Sequence, residues 1–344
     1  MKVTVIHPDV DHILKLASLG SNFQAASDCL QLMTGKLLSS TVDSELLWTF
    51  SSLGRTGFPI EVSFVSNDPS LRITTEVTGP EIPPEQRLTY AEELFEILNS
   101  FPIPSELSRF IHTVQRDSTL KYGAWLGSRH STSGNSFKLY MEIPCYPDNS
   151  PEVKAWEKEI ISRSSIRPVK LRMIGYNGGS RSLELYYDTT YLWPQDLPSL
   201  MSPMGLQDKA YAVLDNLFQA YRRPVNWELP SGSDYGFSYT IPCPYTNSNT
   251  KTMNAFTLYT FANVLFGGDH SIRAAILELS QRQGWNSSLY EEISRPIAHK
   301  RGFITHHGVF GIVVLPEKSP EVTFGLTLPS ILNTKFCAQI ERGG

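Results

Sequence analysis

Three basic side chains, Arg72, Lys138 and Arg172, stand in strand-like segments, with Lys170 in register with Arg172 and the tyrosines Tyr140, Tyr186 and Tyr259 interleaved. Guanidinium forks and an ammonium, with phenolic O–H donors beside them, are the groups that neutralise and hydrogen-bond a diphosphate. Aromatic faces could stabilise a developing carbocation by about 0.5–2 kcal/mol each once water is excluded. Trp125, at the head of a strand, could stack on a flat acceptor or pack in the core, and Tyr176 and Tyr239 are further candidates for an inward face. One carboxylate, Glu61 at the start of the first strand, could accept a hydrogen bond from an indole or phenol and help remove its proton. On spacing alone it could equally form a salt bridge to Arg72. The chain has no P-loop, no GxGxxG and no DDxxD-type acidic cluster, so neither a nucleotide cradle nor a magnesium clamp is in view. Side-chain cations would then do a metal's work.

These residues need elements that bring them to one place. A helical segment over roughly 8–52 sets Phe23, Ala26, Leu30 and Met33 on one face. After it, the apolar period drops to two and the chain cycles. Strands are expected at 59–66 and 70–77, 124–130 and 136–143, 168–176 and 181–188, 235–241 and 254–262, and 303–315 and 321–328, each pair a hairpin and each preceded by helical sequence. The repeat is helix, helix, strand, strand, run five times. Within the strands, Ile60, Val62 and Phe64 oppose Glu61 and Ser63, and Leu71 and Ile73 oppose Arg72, Thr74 and Glu76. Similarly, Phe137, Leu139 and Met141 oppose Lys138 and Tyr140; Leu171 and Met173 oppose Lys170 and Arg172; and Leu183 and Leu185 oppose Glu184 and Tyr186. Ten antiparallel strands can close into a barrel with helices over the apolar face and the charged face inward. About eight strands fill their own interior, so ten should leave a ligand-sized lumen. An α+β protein with two separate sheets, its polar faces solvated, is the alternative arrangement. The expected class is therefore α+β: a ten-stranded antiparallel barrel of five ααββ repeats in one domain over 1–344, with N-terminal helices in 1–55, repeats in 56–330 and a tail in 331–344.

Composition narrows the function classes. Thirty Lys and Arg against 34 Asp and Glu give a net charge of −4 over 344 residues, which argues against a dedicated nucleic-acid binder. The barrel reading makes that balance conceal a basic pocket inside an acidic surface. No run of about 18 apolar residues is present, so no membrane helix is expected. The N-terminus, interrupted by Pro8 and Asp9, does not read as a secretory signal. Four widely spaced cysteines without a CxxC exclude a zinc ribbon, and no metal site is expected. A cytoplasmic protein, monomer or homodimer, working on small molecules is the expectation.

The ααββ order resembles the aromatic prenyltransferases of the ABBA barrel fold, in particular the indole branch typified by dimethylallyltryptophan synthase. Pro59-Ile60-Glu61-Val62-Ser63, followed by Leu71-Arg72 and Glu76, is similar to that branch's first hairpin; Phe137-Lys138-Leu139-Tyr140 to its second; and Tyr259 in AFTLYTF to the tyrosine of its fourth. The resemblance spans about residues 20–330 and lies in order and spacing rather than in one motif. It implies transfer of a dimethylallyl group from dimethylallyl diphosphate to an indole acceptor by dissociative electrophilic substitution, with no essential Mg2+. By this resemblance Glu61 contacts the indole N–H; Arg72, Lys138, Tyr140, Arg172, Tyr186 and Tyr259 serve the diphosphate; and Trp125 and Tyr239 serve the acceptor. The third hairpin departs from the pattern: Arg-x-Lys-x-Tyr becomes Ser182-x-Glu184-x-Tyr186, which moves diphosphate binding toward Arg172 and makes Glu184 an alternative to Glu61 as the catalytic carboxylate. The fourth has Thr257 where Gln is common, and the fifth shows His306 and His307 in place of tyrosines. The length, short beside fungal relatives, suggests a bacterial or cyanobacterial member. Phenol prenylation and a barrel that binds aromatic or isoprenoid ligands without catalysis are the rival readings.

Overall fold

A computed structural model describes residues 23–40, 46, 48–99, 101–145, 148–161, 168–189, 192–221, 235–246, 254–302 and 304–327. The start of the N-terminal helical segment and the C-terminal tail lie outside the described residues. Helices α1 (Phe23–Met33) and α2 (Gly35–Leu38) precede strands β1 (Ile60–Val65) and β2 (Asp68–Glu76). Helices α3 (Pro84–Leu98) and α4 (Ser105–Gln115) lead to β3 (Ala124–Ser131) and β4 (Gly134–Glu142), and α5 (Pro151–Ile160) leads to β5 (Lys170–Asn177) and β6 (Ser182–Thr189). Helices α6 (Leu197–Met201) and α7 (Ala210–Tyr221) precede β7 (Tyr235–Pro242) and β8 (Ala255–Phe261). Finally α8 (Ala262–Phe266), α9 (Asp269–Gln283) and α10 (Ser288–Ser294) precede β9 (His307–Val314) and β10 (Glu321–Thr327). The repeat is looser than the sequence suggests: among the described residues the third hairpin follows one helix and the fifth follows three.

Every strand pairs antiparallel with its sequence neighbours, and β1 closes on β10, so the sheet is a complete barrel with no free edge. The expected fold class is the observed one. Side-chain alternation explains the layering. Leu126, Leu139, Leu185 and Phe256 point outward and are buried in one core cluster with Leu88, Phe95, Leu107 and Ile111 of α3 and α4, while Ile60, Val62 and Ile73 are buried in a second with Ala26 and Leu30 of α1 and Ile293 of α10. Full burial of one such side chain is worth about 1.5–3 kcal/mol, so the barrel wall and helical shell hold each other in place.

Alternation fails in β5. Its pairing with β6 slips between Leu171 and Met173, a bulge at Arg172. A bulge inverts which face the following residues present, so Met173 faces the lumen and Arg172 does not wall it. Arg172 instead forms an ion pair with Asp188 at 2.6 Å, both half-exposed, and bonds the Cys145 thiol. Tyr239 likewise is not inward. Its neighbours Ser238 and Thr240 line the lumen, so Tyr239 is forced outward, packed edge-on or tilted among Tyr187, Phe237 and Phe256, with its hydroxyl donating to the Leu200 carbonyl at 2.7 Å. Tyr176 is also outward, against Phe95.

One barrel end is plugged. Residues 48–58 cross it: Trp48 stacks on Phe58 at 5.2 Å, Thr56 hydrogen-bonds Thr327 at 3.0 Å, and Leu53 reaches the lumen. Gly57 is required in this strap, because its φ is +76° and a Cβ would lie 2.1 Å from the Thr49 carbonyl oxygen. Glu76 holds the strap down, accepting from Ser51 (2.7 Å), Trp125 Nε1 (2.9 Å) and Arg87 (3.1 Å) with no exposed surface. His306 and His307 are structural. Asp269 accepts from both backbone amides and from His307 Nδ1 at 2.7 Å, while His307 Nε2 meets the Tyr290 hydroxyl at 2.8 Å, which pins α9 and α10 to the barrel. No helix among the described residues is long and apolar enough to cross a membrane.

Candidate active site

The barrel encloses a cavity of about 760 Å³, open at the end opposite the strap. Glu61, Arg72, Trp125, Lys138, Tyr140, Glu184, Tyr186 and Tyr259 all wall it; Arg172 and Tyr239 do not.

Strand glycines make the room. A Cβ on Gly175 would sit 2.4 Å from Lys138 Cε, one on Gly127 would sit 2.8 Å from the Tyr140 ring, and one on Gly236 would sit 1.9 Å from the Tyr259 ring. Glu61 lies over Gly325 and Gly308, whose Cβ positions would fall 2.6 and 2.9 Å from its carboxylate. Each of these functional side chains thus lies across a neighbouring strand where only hydrogen stands in its way.

The tyrosines form an arc. Tyr140 and Tyr186 have ring centroids 6.1 Å apart, and Tyr186 and Tyr259 6.2 Å. The Lys138 ammonium lies 5.0 and 5.2 Å from the first two rings, so these faces already hold a cation. Lys138 donates to the Tyr186 hydroxyl at 2.8 Å and pairs with Glu184, which also accepts from Ser238 at 2.5 Å. Burial works against both charges, but their mutual attraction outweighs it: the ammonium titrates above its usual value and the Glu184 carboxyl below. Burial, with the Glu184 charge near Tyr186 and the Asp188 and Glu184 charges near Tyr259, keeps both hydroxyls far above the ordinary phenol value, so both are neutral donors.

Glu61 is in the opposite state. Arg72 pairs with Asp68 at 2.6 Å, and Glu61 has no ion pair among the described residues, only the Ser63 hydroxyl at 3.4 Å. Burial in the lumen, with that weak hydrogen bond the sole relief, pushes its carboxyl up to about 7. It is a wall carboxylate poised to gain or lose a proton near neutrality.

The basic pocket expected from the sequence is corrected by these pairings. Among the described residues the wall carries four cations (Arg72, Arg129, Lys138, Lys318) and four carboxylates (Glu61, Asp68, Glu184, Glu321). Asp68 takes both arginines, Glu184 takes Lys138, and Glu321 takes Lys318 at 3.7 Å. Arg129 and Asp68 escaped sequence reasoning; Arg129 stands directly opposite Arg72 across the β2–β3 pair, a position the alternation in AWLGSRH could have signalled. Trp125 presents a ring whose N–H is committed to Glu76 and whose face stacks on Tyr122 at a centroid distance of 3.7 Å. Tyr122 is held in turn by Glu142, which accepts the amides of residues 121–123. Among the described residues no group of three His, Cys, Asp or Glu is arranged to hold a metal ion.

The fold is that of solved aromatic prenyltransferases. The 5-dimethylallyltryptophan synthase of Streptomyces coelicolor, in complex with DMASPP and Trp, superposes with a TM-score of 0.70 at 14% identity, covering 92% of this chain and 93% of that one. PriB bound to product diphosphate gives 0.69 at 12% identity, with 93% and 94% covered. The 6-dimethylallyltryptophan synthase of Micromonospora olivasterospora, also with DMASPP and Trp, gives 0.64 at 14% identity, with 93% and 95% covered. No protein-family model and no curated protein matches the sequence.

Proposed function

We propose that the chain is an aromatic prenyltransferase that moves a dimethylallyl group from its diphosphate to an indole acceptor inside the barrel. The observation that carries this reading is Glu61, a proton-poised carboxylate with no counter-ion among the described residues, in the same lumen as three tyrosine faces and a cation set. The diphosphate group lies toward Arg72 and Lys138. The Arg72 Nε–H has no acceptor among the described residues, and two of the three ammonium donors of Lys138 are committed, to Glu184 and Tyr186. The C–O bond of the donor breaks with its electron pair leaving on the diphosphate, and the Tyr140–Tyr186–Tyr259 arc shields the allylic cation from water. The acceptor's π electrons form the new C–C bond. Glu61 accepts the indole N–H, which stabilises the positive charge on the ring, and serves as the lumen's base when the proton at the attacked carbon is lost. Glu184, committed to Lys138 and Ser238, is the counter-ion of the ammonium rather than the base. The closed barrel and its strap serve the same end, since a cation open to water would be quenched as an alcohol.

Incubation of the full chain with dimethylallyl diphosphate and a panel of indoles and phenols, in EDTA and in magnesium, tests this. A prenylated indole and released diphosphate in EDTA is the expected result. A product from phenols alone would move the acceptor class, no aromatic product at all would overturn the proposal, and strict magnesium dependence would overturn only the metal-free donor site.

A further inference from the structure

At the open end of the cavity Arg72 and Arg129 occupy directly opposed positions on β2 and β3. Like charges so placed repel, and here one carboxylate joins them: Asp68 takes Arg72 Nη2 at 2.6 Å and Arg129 Nη2 at 3.0 Å. Asp68 is itself fixed by the Ser70 amide (3.0 Å) and hydroxyl (2.6 Å), and Ser70 accepts from Arg129 Nε at 2.9 Å. The β1–β2 turn that delivers Asp68 passes through Asn67 at φ +61°, a left-handed conformation that asparagine tolerates and β-branched residues do not. Two guanidiniums on one carboxylate leave the cluster with a charge of plus one. It also leaves a buried Arg72 Nε–H with no acceptor among the described residues, in a wall it shares with Lys138.

From this arrangement we infer that Arg72 and Arg129 form an anion clamp at the barrel mouth that takes the diphosphate group of the donor, and that Asp68 is the resident counter-ion that holds the clamp together when it is empty. The inference rests on the prenyl-transfer reading for the identity of the ligand, and adds to it a binding residue, Arg129, and a positioning residue, Asp68. Burial alone would raise the Asp68 carboxyl, but the Ser70 hydroxyl, Arg72 and the Ser70 amide bring it down to about 2, so the counter-ion is charged at every working pH. The two roles have opposite signs. Removing Arg129 removes a charge-assisted partner of the phosphate oxygens, whereas removing the Asp68 charge frees both guanidiniums for the ligand while letting them repel each other in the empty protein.

Calorimetric titration of the full chain with inorganic diphosphate, beside thermal melts, reads both. Arg129→Gln, at a half-exposed position, should melt close to wild type and bind diphosphate roughly tenfold more weakly, the loss of one charged hydrogen-bonding partner. Asp68→Asn should melt lower without ligand yet bind diphosphate several-fold more tightly, a combination that a merely structural aspartate would not produce. Unchanged affinity in Arg129→Gln, weakened affinity in Asp68→Asn, or no binding by wild type would each overturn the clamp. Diphosphate binding with the expected shifts but no prenyl transfer to any acceptor would keep the clamp and remove the prenyltransferase reading. Transfer with an unaltered donor KM in Arg129→Gln would do the reverse.

Discussion

Replacing Glu61 with Gln is expected to make the protein more stable above about pH 7 while removing most of its prenyl-transfer activity. In the folded chain burial holds the Glu61 proton up to about 7, against 4.5 for an ordinary glutamate. Between those values the folded state binds more protons than the unfolded state. Stability therefore falls as pH rises through the window and remains lowered above it. The full difference corresponds to roughly 3 kcal/mol, and on the order of 1–3 kcal/mol once water in the cavity is allowed for. Glutamine keeps the shape and never ionises, so its advantage should be close to nil at about pH 4 and complete at about pH 8. Urea denaturation at both values measures it, and equal stability differences at the two would show that Glu61 is not buried without a counter-ion. The activity loss expected from removing a positioned base is about a hundredfold or more.

The second large effect lies in the Lys138–Glu184 pair. Lys138→Gln leaves Glu184 in the lumen with the Ser238 and Tyr186 hydroxyls but without its counter-ion, a loss of about 3–5 kcal/mol for a buried ion pair broken on one side. The double variant Lys138→Gln/Glu184→Gln removes both charges and keeps hydrogen-bonding groups over Gly175, so most of the stability should return. Donor binding should not return, because the ammonium that meets the diphosphate is absent. A stable double variant with a raised donor KM and an unaltered acceptor KM is the expected result. A double variant as unstable as the single one would mean that the pair is not an isolated unit, and wild-type donor kinetics would remove Lys138 from the diphosphate site.

Much of the architecture was legible because the barrel repeats one short rule. Alternation along the strands placed Glu61, Arg72, Lys138, Tyr140, Glu184, Tyr186 and Tyr259 on the inner wall, where the structure puts them. The errors have local causes. Arg172 is itself the extra residue in β5, outside the pairing from which period two assigns faces, and a bulge carries no signature in KLRMIGY. Tyr239 belongs to a strand with aromatic residues on its outer face and serine and threonine within, the opposite of what a search for inward tyrosines expects. Charge pairing was the larger gap. The sequence pattern leaves Asp68 in the turn before 70–77, whereas β2 begins at Asp68, and the partner of each lumen cation depends on strand stagger around the closed barrel, which no single hairpin records. The glycines Gly127, Gly175, Gly236 and Gly325, which look like weaknesses in their strands, were the overlooked markers of where large inward side chains lie.

The measurement that bears most directly on this account is the pH dependence of kcat/KM for dimethylallyl transfer to an indole, in wild type and in Glu61→Gln. The account predicts a wild-type rate that rises with pH through a midpoint near 7, the value to which burial lifts the Glu61 carboxyl, and then levels off. It predicts a Glu61→Gln enzyme that binds diphosphate normally and turns over near background at every pH. Transfer by Glu61→Gln at the wild-type rate, or a wild-type profile flat across neutrality, would contradict it.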